Sequence, residues 1–281
     1  MIPPLVTVIC VCYNHAQFVA EALNSVIHQT YSHVELIVID DGSTDGSGKV
    51  IKRWMANHPE ATFILNGKNL GYCKTFNKAY QLASGKFIID LSADDVLKSN
   101  RIEEGVNILM DAGDDYGVTF SDAQYIDEHG NPMRLHSEQF PHNSIPCGDV
   151  YTELIQRYFI CSPTMMFRKL VLDSLKGYDE ALAFEDFDFW IRSSRNFKFI
   201  YSSSVLVGKR VLSTSMSATQ FHRSNPQRWS TLEVCKKIKG LNRTKEEVGA
   251  LKRRLHYEVG VSLKSLDFKL AFSFWKLQCS L

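Results

Sequence analysis

The chain has 281 residues, of which 44% are hydrophobic and 22% charged, and its formal net charge is +1. This is an ordinary globular composition that can bury a full core, and it excludes a disordered or collagen-like chain. The net charge hides an asymmetry, because residues 209–281 carry 15 lysines and arginines against 5 acidic residues, whereas residues 1–208 carry 17 against 26. An acidic body suits a site that uses a cation, and a basic tail suits phosphate groups or an anionic membrane surface.

In the N-terminal third, short apolar runs alternate with amphipathic helical patterns. The runs at 5–12, 34–39, 62–65 and 87–91 predict four strands, and helical patterns at about 18–30, 44–55 and 72–83 lie between them. The first run is apolar throughout, as in a parallel strand covered on both faces. This rhythm indicates an α/β fold with an open, mainly parallel sheet and helices on both faces.

Beyond the fourth strand the pattern is less regular. It predicts a helix at about 99–110, a strand at 116–120, a hairpin tip at 127–132, a helix at 150–159, a strand at 164–168 and a helix at 169–175. After about residue 208 the chain becomes basic and mainly helical. We therefore predict a domain at 1–215 and a helical C-terminal extension at 216–281.

Seven cysteines form no spaced zinc motif, and Cys10 and Cys12 point the same way within a strand-like run. We therefore expect reduced, buried thiols, as in a cytosolic protein. The N-terminus lacks the basic region and long apolar stretch of a signal peptide, and no segment has the roughly 18–20 apolar residues of a membrane span. These features predict a cytoplasmic location.

Three acidic pairs are the most informative polar features. Asp40-Asp41 and Asp94-Asp95 follow the second and fourth predicted strands, and Glu185-Asp186 lies in an aromatic-rich segment. Carboxylates at the carboxyl ends of strands in such a sheet point into the crevice where these folds bind ligands. They would repel one another there unless a cation or a substrate used them. The pattern predicts a site for a metal ion and a phosphorylated ligand.

Two places could bind a nucleotide. Tyr13 and Asp41 end the first two strands, so they are neighbours if these strands pair, and a ring and a carboxylate together could bind a base. In the alternative interpretation, the first acidic pair only caps the following turn and helix. Lys74 and Asn77 lie where a helix opens after Gly71, and helix N-termini attract anions. One glycine is a weak phosphate motif, and packing is the simpler explanation for most of that segment.

Asp94 is the candidate metal ligand, because Mg²⁺ and Mn²⁺ are often held by one or two carboxylates together with substrate phosphates. Asp95 could cap the next helix, and capping is an equally good interpretation of this pair. Around Glu185 and Asp186, desolvation by aromatic residues would raise a carboxylate pKa toward that of a useful general base. The alternative is a buried structural pair, a role that also fits Asp188.

The motifs that carry these residues occur together and in order, and they resemble those of family 2 glycosyltransferases, which are inverting enzymes of GT-A fold. The resemblance covers about residues 5–215 and is carried by residues 6–14, Asp40-Asp41-Gly42-Ser43-Thr44-Asp45, Asn69-Leu70-Gly71 with Asn77, residues 83–88, 177–180 and 185–190. It implies that Tyr13 and Asp41 hold the base of a nucleotide-sugar donor. It further implies that Asp94 binds the divalent cation, Mg²⁺ or Mn²⁺, that bridges the diphosphate. Asp186 would be the catalytic base.

Three departures from the family pattern concern the donor side of the site. Val11-Cys12 replaces a frequent Pro-Thr, Ser92 replaces the first aspartate of the metal motif, and Lys209-Arg210-Val211-Leu212 replaces a late Tyr-Arg-x-His. Leu212 cannot coordinate a metal, so a cation would rely on Asp94, phosphates and water. Arg210 could still contact the diphosphate.

The resemblance predicts inverting transfer of a sugar, from a UDP-sugar before other donors, to a glycan or lipid-linked glycan acceptor in cell-surface polysaccharide assembly. No nucleic-acid partner is expected. Two rival functions stay open. A nucleotidyltransferase would carry a basic, glycine-rich phosphate loop, which residues 13–20 lack. A non-catalytic nucleotide-sugar-binding protein would explain the altered metal motif.

The last helix predicted in the tail mixes apolar and aromatic residues with Lys264, Lys269 and Lys276. This mixture is typical of a helix that lies in a membrane interface, here at the inner face of the membrane. The alternative is a helix that packs on the body or on a second copy in a homodimer.

Overall fold

The computed structural model describes residues 3–140, 145–213, 215 and 225–281. Its elements in chain order are β1 Val6–Cys12, α1 Val19–Ile27, β2 Val34–Asp40, α2 Ser47–Met55, β3 Thr62–Leu65, α3 Tyr72–Tyr80, β4 Phe87–Ser92, β5 Val96–Leu97, α4 Arg101–Asp111, β6 Tyr116–Ile126, β7 Pro132–Leu135, α5 Tyr151–Gln156, β8 Met166–Arg168, α6 Lys169–Leu175, α7 Asp186–Ser193, β9 Lys198–Arg210, α8 Pro226–Leu241, α9 Lys245–Lys264 and α10 Phe268–Cys279. Short 3₁₀ turns lie at Ser137–Gln139 and Ser162–Thr164.

The described strands form one nine-stranded sheet in the order β3-β2-β1-β4-β8-β6-β9-β5, with β7 paired to β6. Strands β3, β2, β1 and β4 are parallel, β8 is antiparallel to both of its neighbours, and β6 and β9 are again parallel. The α/β fold is therefore confirmed. The predicted hairpin tip joins β6 to β7, whereas β9 is a long strand that the sequence patterns did not predict.

Helices cover both faces of the sheet because alternate residues of each strand point to opposite sides. In β1, Val6, Val8, Cys10 and Cys12 pack with α1, α2 and α4. Ile9 and Val11 pack on the other face, in a core that includes α3, α5, α6 and α7. Cys10 and Cys12 thus share one buried face, and all seven cysteines are free thiols. Five are buried as expected, whereas the expectation is wrong for Cys147 and Cys279, which are exposed.

The C-terminal helices belong to that second core. Leu232 and Cys235 of α8, Leu255 of α9 and Phe274 of α10 are buried in the same apolar cluster as Phe187 of α7. A capping box between Thr244 and Glu247 begins α9. The predicted domain boundary adjoins residues 214 and 216–224, which lie outside the described residues. Among the helices that the structure describes, none is long and apolar enough to cross a membrane.

Candidate active site

The carboxyl ends of β1 and β2 lie side by side. Cys12 pairs with Asp40, and the Asp41 N–H donates to the Cys12 carbonyl at 2.8 Å, so Tyr13 and Asp41 are neighbours as predicted. The ring of Tyr13 stays open to solvent, since 43% of the residue is exposed. An exposed aromatic ring at a strand end is available to stack on a planar ligand.

The loop after β1 is fixed by the segment after β2. The Asn14 N–H donates to Ser43 Oγ, the Thr44 N–H donates to Asn14 Oδ1, and the Ala16 N–H donates to Asp45 Oδ2, each at 2.9 Å. Asn14 adopts a left-handed conformation with φ of 57°, which asparagine tolerates better than most residues. The Ser-Thr-Asp segment therefore determines the position of the loop that presents Tyr13.

Asp41 is buried, and it holds the next loop. Its Oδ1 accepts from the Leu70 N–H at 2.8 Å and from Asn66 Nδ2 at 2.9 Å, and its Oδ2 accepts from the Gly71 N–H at 3.0 Å. Gly42 makes this approach possible, because a Cβ there would lie 2.5 Å from the Lys68 carbonyl carbon. The carboxylate thus draws residues 66–71 against the end of β2.

The two polar residues predicted on α3 differ in environment. Lys74 is exposed. The Asn77 amide donates to the Tyr178 carbonyl at 2.8 Å, and its oxygen accepts from the Tyr178 N–H at 2.9 Å. These two bonds fix the turn that leads to α7. The expected contact of Asn77 with a nucleotide stays a prediction.

Asp94 follows β4 and has two polar neighbours. Ser92 Oγ donates to Asp94 Oδ1 at 2.5 Å, and His15 Nδ1 lies 3.6 Å from the same oxygen. His15 Nδ1 is buried and has no hydrogen-bond partner within the described residues. A carboxylate and an imidazole nitrogen therefore meet where β1 and β4 end. No group of three or more His, Cys, Asp or Glu side chains converges into a full metal cage in the described part of the chain.

Arg210, at the end of β9, is fully engaged with protein groups. Its Nε donates to the Asp94 carbonyl and one Nη to the carbonyls of Asp127 and Glu128, each at 3.0 Å. The other Nη pairs with Glu21 at 2.6 Å, and the guanidinium covers the Phe18 ring at 4.7 Å. The side chain is 1% exposed. Instead of facing a diphosphate as predicted, this guanidinium joins α1, the end of β4 and the β6–β7 hairpin.

Asp186 begins α7 beside Glu185, and both are half-buried. Burial raises the pKa of Asp186, while the Phe187 N–H and the charge of Lys209 act in the opposite direction. Burial also raises the pKa of Glu185, to which the charges of Asp186 and Asp90 add. The charges of these neighbouring carboxyls therefore oppose one another's ionisation.

Asp90 is a third member of this cluster that the sequence patterns did not single out. It lies on β4 and accepts from Tyr72 Oη at 2.7 Å and from Tyr178 Oη at 3.0 Å. Burial and the charge of Asp186 raise its pKa from the usual 3.8 to about 7, against the two tyrosine hydrogen bonds. The sequence feature that could have revealed Asp90 is a charged residue inside an otherwise apolar strand.

Comparison with known proteins identifies the family. The sequence profile described as "Glycosyl transferase family 2" matches residues 7–175. The chain belongs to this family. Its mixed sheet, with the acidic sites at the ends of β2 and β4, is the GT-A architecture that the resemblance implied, and the recognition of the family is thus confirmed.

Two curated relatives of this glycosyltransferase illustrate the similarity, one over about three quarters of the chain and one over less than half. An uncharacterized glycosyltransferase of Methanocaldococcus jannaschii is 29% identical over 211 residues, which cover 74% of this chain and 71% of the relative. A putative teichuronic acid biosynthesis glycosyltransferase of Bacillus subtilis, TuaG, is 27% identical over 130 residues, covering 46% and 51%.

Two solved structures share the fold of the glycosyltransferase at low identity. TarS 1-349 of S. aureus, crystallised with UDP-GlcNAc, matches with a TM-score of 0.69 and 17% identity, covering 89% of this chain and 71% of that one. The mannosyltransferase PcManGT of Pyrobaculum calidifontis, in complex with GDP-Man and Mn²⁺, matches with a TM-score of 0.67 and 14% identity, covering 98% and 87%.

Lys209 is a further cation near the end of β9, and the sequence patterns assigned it no role. Burial opposes its charge, but Cys161, Asp95, Tyr125 and Asp186 outweigh burial and raise its pKa. Its ammonium therefore acts on both Asp95, at the end of β4, and Asp186, at the start of α7. The sequence feature that could have revealed Lys209 is its position beside Arg210, as a second basic residue at the end of a strand that was not predicted.

Asp90→Asn is expected to flatten the pH dependence of folding stability. The folded protein keeps the Asp90 proton until about pH 7, whereas the unfolded chain loses it near 3.8. Wild-type stability should therefore fall as pH rises through this window. The fall from about pH 5 to about pH 8 amounts to roughly 2 to 3 kcal/mol of unfolding free energy, which urea titrations at the two pH values measure.

The matched control is Asp173→Asn on the exposed surface of α6. The Tyr80 and Lys169 side chains lower the pKa of Asp173 against the opposing effect of burial. Its titration therefore lies below this window, and the variant should keep the wild-type slope. If Asp90→Asn also keeps that slope, Asp90 does not retain its proton in the folded state.

Proposed function

We propose that this glycosyltransferase moves a sugar from a nucleotide diphosphate sugar to an acceptor hydroxyl, with inversion at the anomeric carbon. The observation that carries the proposal is the hydrogen bond from Tyr178 Oη, in the turn before α7, to Asp90 Oδ2 on β4 at 3.0 Å. The charge of Lys209, which influences both Asp95 and Asp186, agrees with it. The metal-motif end of β4 and the candidate base on α7 therefore belong to one site. Tyr13 and Asp41 lie at the neighbouring strand ends, where a nucleotide can bind.

Asp186 is the proposed base. Its raised pKa makes it a better proton acceptor than an exposed aspartate. The acceptor hydroxyl would lose its proton to Asp186 as its oxygen attacks the anomeric carbon from the side opposite the diphosphate. The sugar–phosphate bond then breaks, and the nucleoside diphosphate leaves with the bonding electron pair.

The donor base is proposed to stack on Tyr13 and to contact Asp41. Asp41 Oδ1 already accepts two hydrogen bonds and Oδ2 accepts one, so Oδ2 keeps a lone pair that can accept a further bond. UDP is the preferred nucleotide, and the UDP-GlcNAc complex of the TarS neighbour supports it. Lys74 is exposed at the start of α3 and could reach the donor, whereas we assign Asn77 and Arg210 to positioning the loops.

A divalent cation fits the donor chemistry at Asp94. The unpartnered, buried Nδ1 of His15 lies beside the Asp94 carboxylate, so an oxygen and a nitrogen ligand are adjacent. Mg²⁺ or Mn²⁺ could be held there with the donor phosphates completing the coordination. When bound, the cation would supply positive charge against the departing diphosphate. Mn²⁺ in the PcManGT complex supports this assignment.

The acceptor is proposed to be a glycan or lipid-linked glycan at the inner face of the membrane. The similarity to TuaG, whose name refers to teichuronic acid biosynthesis, supports a cell-surface polymer. Phe184, Glu185 and Asp186 are half-buried and adjacent in the chain, and they suit a sugar hydroxyl because sugars pack on rings and hydrogen-bond to carboxylates.

The test is a screen of UDP- and GDP-sugars for hydrolysis and transfer, with Mn²⁺, with Mg²⁺ and with EDTA, followed by NMR of the anomeric configuration. Turnover of one donor with inversion is expected. Retention of configuration would contradict the single displacement. Donor binding without turnover under every cation would instead favour the non-catalytic binding protein.

Lys209→Met is expected to move the acidic limb of the kcat/KM profile to higher pH. The Lys209 charge lowers the pKa of Asp186. Its removal therefore raises that pKa further and leaves less ionised base at a given pH. Lys209→Arg should keep the wild-type limb, and Lys198→Met, at the exposed start of β9, is the matched control. An unmoved limb in Lys209→Met would show that the ammonium does not act on the base.

A further inference from the structure

The helix α10 is apolar on two opposite sides. Leu270, Ala271 and Phe274 are buried in the core. Phe268, Phe272 and Trp275 are 64%, 60% and 50% exposed. Their spacing of four and three residues places them on one stripe along the helix. The buried side holds the helix on the body, so the exposed aromatic stripe is presented on a fixed surface.

The turn before α10 extends this stripe. Leu266 is 59% exposed and Leu263 is 48% exposed. Leu266 follows the C-cap residue Ser265 of α9 and has φ of 56°, and the Asp267 N–H after it donates to the Ser262 carbonyl at 2.9 Å. Glycine is the usual residue at this position, because its φ is left-handed. Burial offsets little of the strain of a leucine here, since most of its surface faces solvent.

Along α10 and the turn before it, the exposed charged side chains are all positive. From residue 259 to the end at 281 the only acidic residue is Asp267. It is 6% exposed and caps α10 by accepting from the Leu270 N–H. Lys264, Lys269 and Lys276 are exposed next to the apolar residues. A second copy related by two-fold symmetry would place its own lysines against these lysines. Residues 259–281 would offer no exposed acidic side chain to pair with them.

We propose that this surface, formed by Leu263, Leu266, Phe268, Phe272 and Trp275 with the three lysines, docks on an anionic lipid bilayer. Aromatic and aliphatic side chains would enter the boundary between headgroups and acyl chains, where tryptophan is favoured. The lysines would pair with lipid phosphates and add electrostatic attraction to the anionic surface. This inference is independent of the donor and acceptor that we propose for the site.

The test is co-sedimentation of the full chain with phosphatidylcholine vesicles, with and without phosphatidylglycerol. Binding to the anionic vesicles is expected, and it should be at least tenfold weaker on neutral vesicles and at high salt. The Trp275 emission should shift to the blue on binding. Trp275→Phe should lose most of the shift and keep the binding.

The double variant Phe272→Ser, Trp275→Ser is expected to lower vesicle affinity by at least tenfold, and Lys269→Glu, Lys276→Glu by a similar factor. Leu82→Ser and Lys52→Glu, at exposed sites on the body, are the matched controls. Unchanged thermal melting confirms that the variants fold. Wild-type binding in both double variants would overturn the proposal. So would a dimer of the wild type that Phe272→Ser, Trp275→Ser dissociates, because the surface would then serve a second copy.

Discussion

Asp186→Asn is expected to lower kcat for sugar transfer by about 10²- to 10⁴-fold while the affinity for the donor stays within a few-fold. The amide keeps the shape of the carboxylate, and its oxygen can still accept from the Phe187 N–H at 2.7 Å. It cannot take a proton from the acceptor hydroxyl. Single-turnover transfer and isothermal titration with the donor separate these two effects.

Glu185→Gln is the matched control for this prediction. Its carboxyl has a pKa raised by burial and by the charges of Asp186 and Asp90, so in its protonated form it resembles the amide that replaces it. The loss of kcat should therefore be less than about tenfold. If Glu185→Gln abolishes transfer and Asp186→Asn does not, the base is Glu185.

Arg210→Met is expected to lower the free energy of unfolding by about 3 to 5 kcal/mol, as when one partner of a buried charged network is removed. The substitution leaves the carbonyls of Asp94, Asp127 and Glu128 without their donor. It also removes the ion pair with Glu21, whose side chain is 54% exposed and can return to water. Denaturant unfolding measures the change.

Arg134→Met, an exposed arginine of β7, is the control and should change stability by less than about 0.5 kcal/mol. Donor affinity distinguishes two roles of Arg210, which are positioning the loops and binding the diphosphate. A stable Arg210→Met protein with donor binding reduced by an order of magnitude or more would show that the guanidinium binds the diphosphate. A large loss of stability supports the positioning role that its contacts indicate.

The part of the fold that could be predicted is the part built from local patterns. The apolar run of β1 and the run before Asp40 specify strands whose pairing follows from their order, so the proximity of Tyr13 and Asp41 could be inferred before any coordinates. In contrast, β9 alternates weakly and carries three serines at 202–204. Its pairing with β6 depends on residues far away in the chain, and the pattern alone did not reveal it.

The same distinction explains the candidate site. Asp186 stands in a recognisable motif, but the partners of Asn77 and Arg210 lie about 100 residues away, at Tyr178 and Asp94. The spacing of motifs in the sequence shows that these polar side chains can form hydrogen bonds. It does not show whether the partner is another part of the protein or a ligand. Asp90 was missed because it is a single charge within an apolar strand, and Lys209 because it lies beside Arg210 at the end of a strand that was not predicted.

The loop at residues 13–16 has a consequence for how a donor would be recognised. Three hydrogen bonds order this loop when the chain folds. Loop N–H groups donate to Ser43 Oγ and Asp45 Oδ2, and the Thr44 N–H donates back to the loop. The conformational entropy of the loop is thus lost before any ligand arrives. Tyr13 and His15 are two residues apart on it, so a nucleobase and a diphosphate would meet a preorganised frame, and more of their contact energy would remain as affinity.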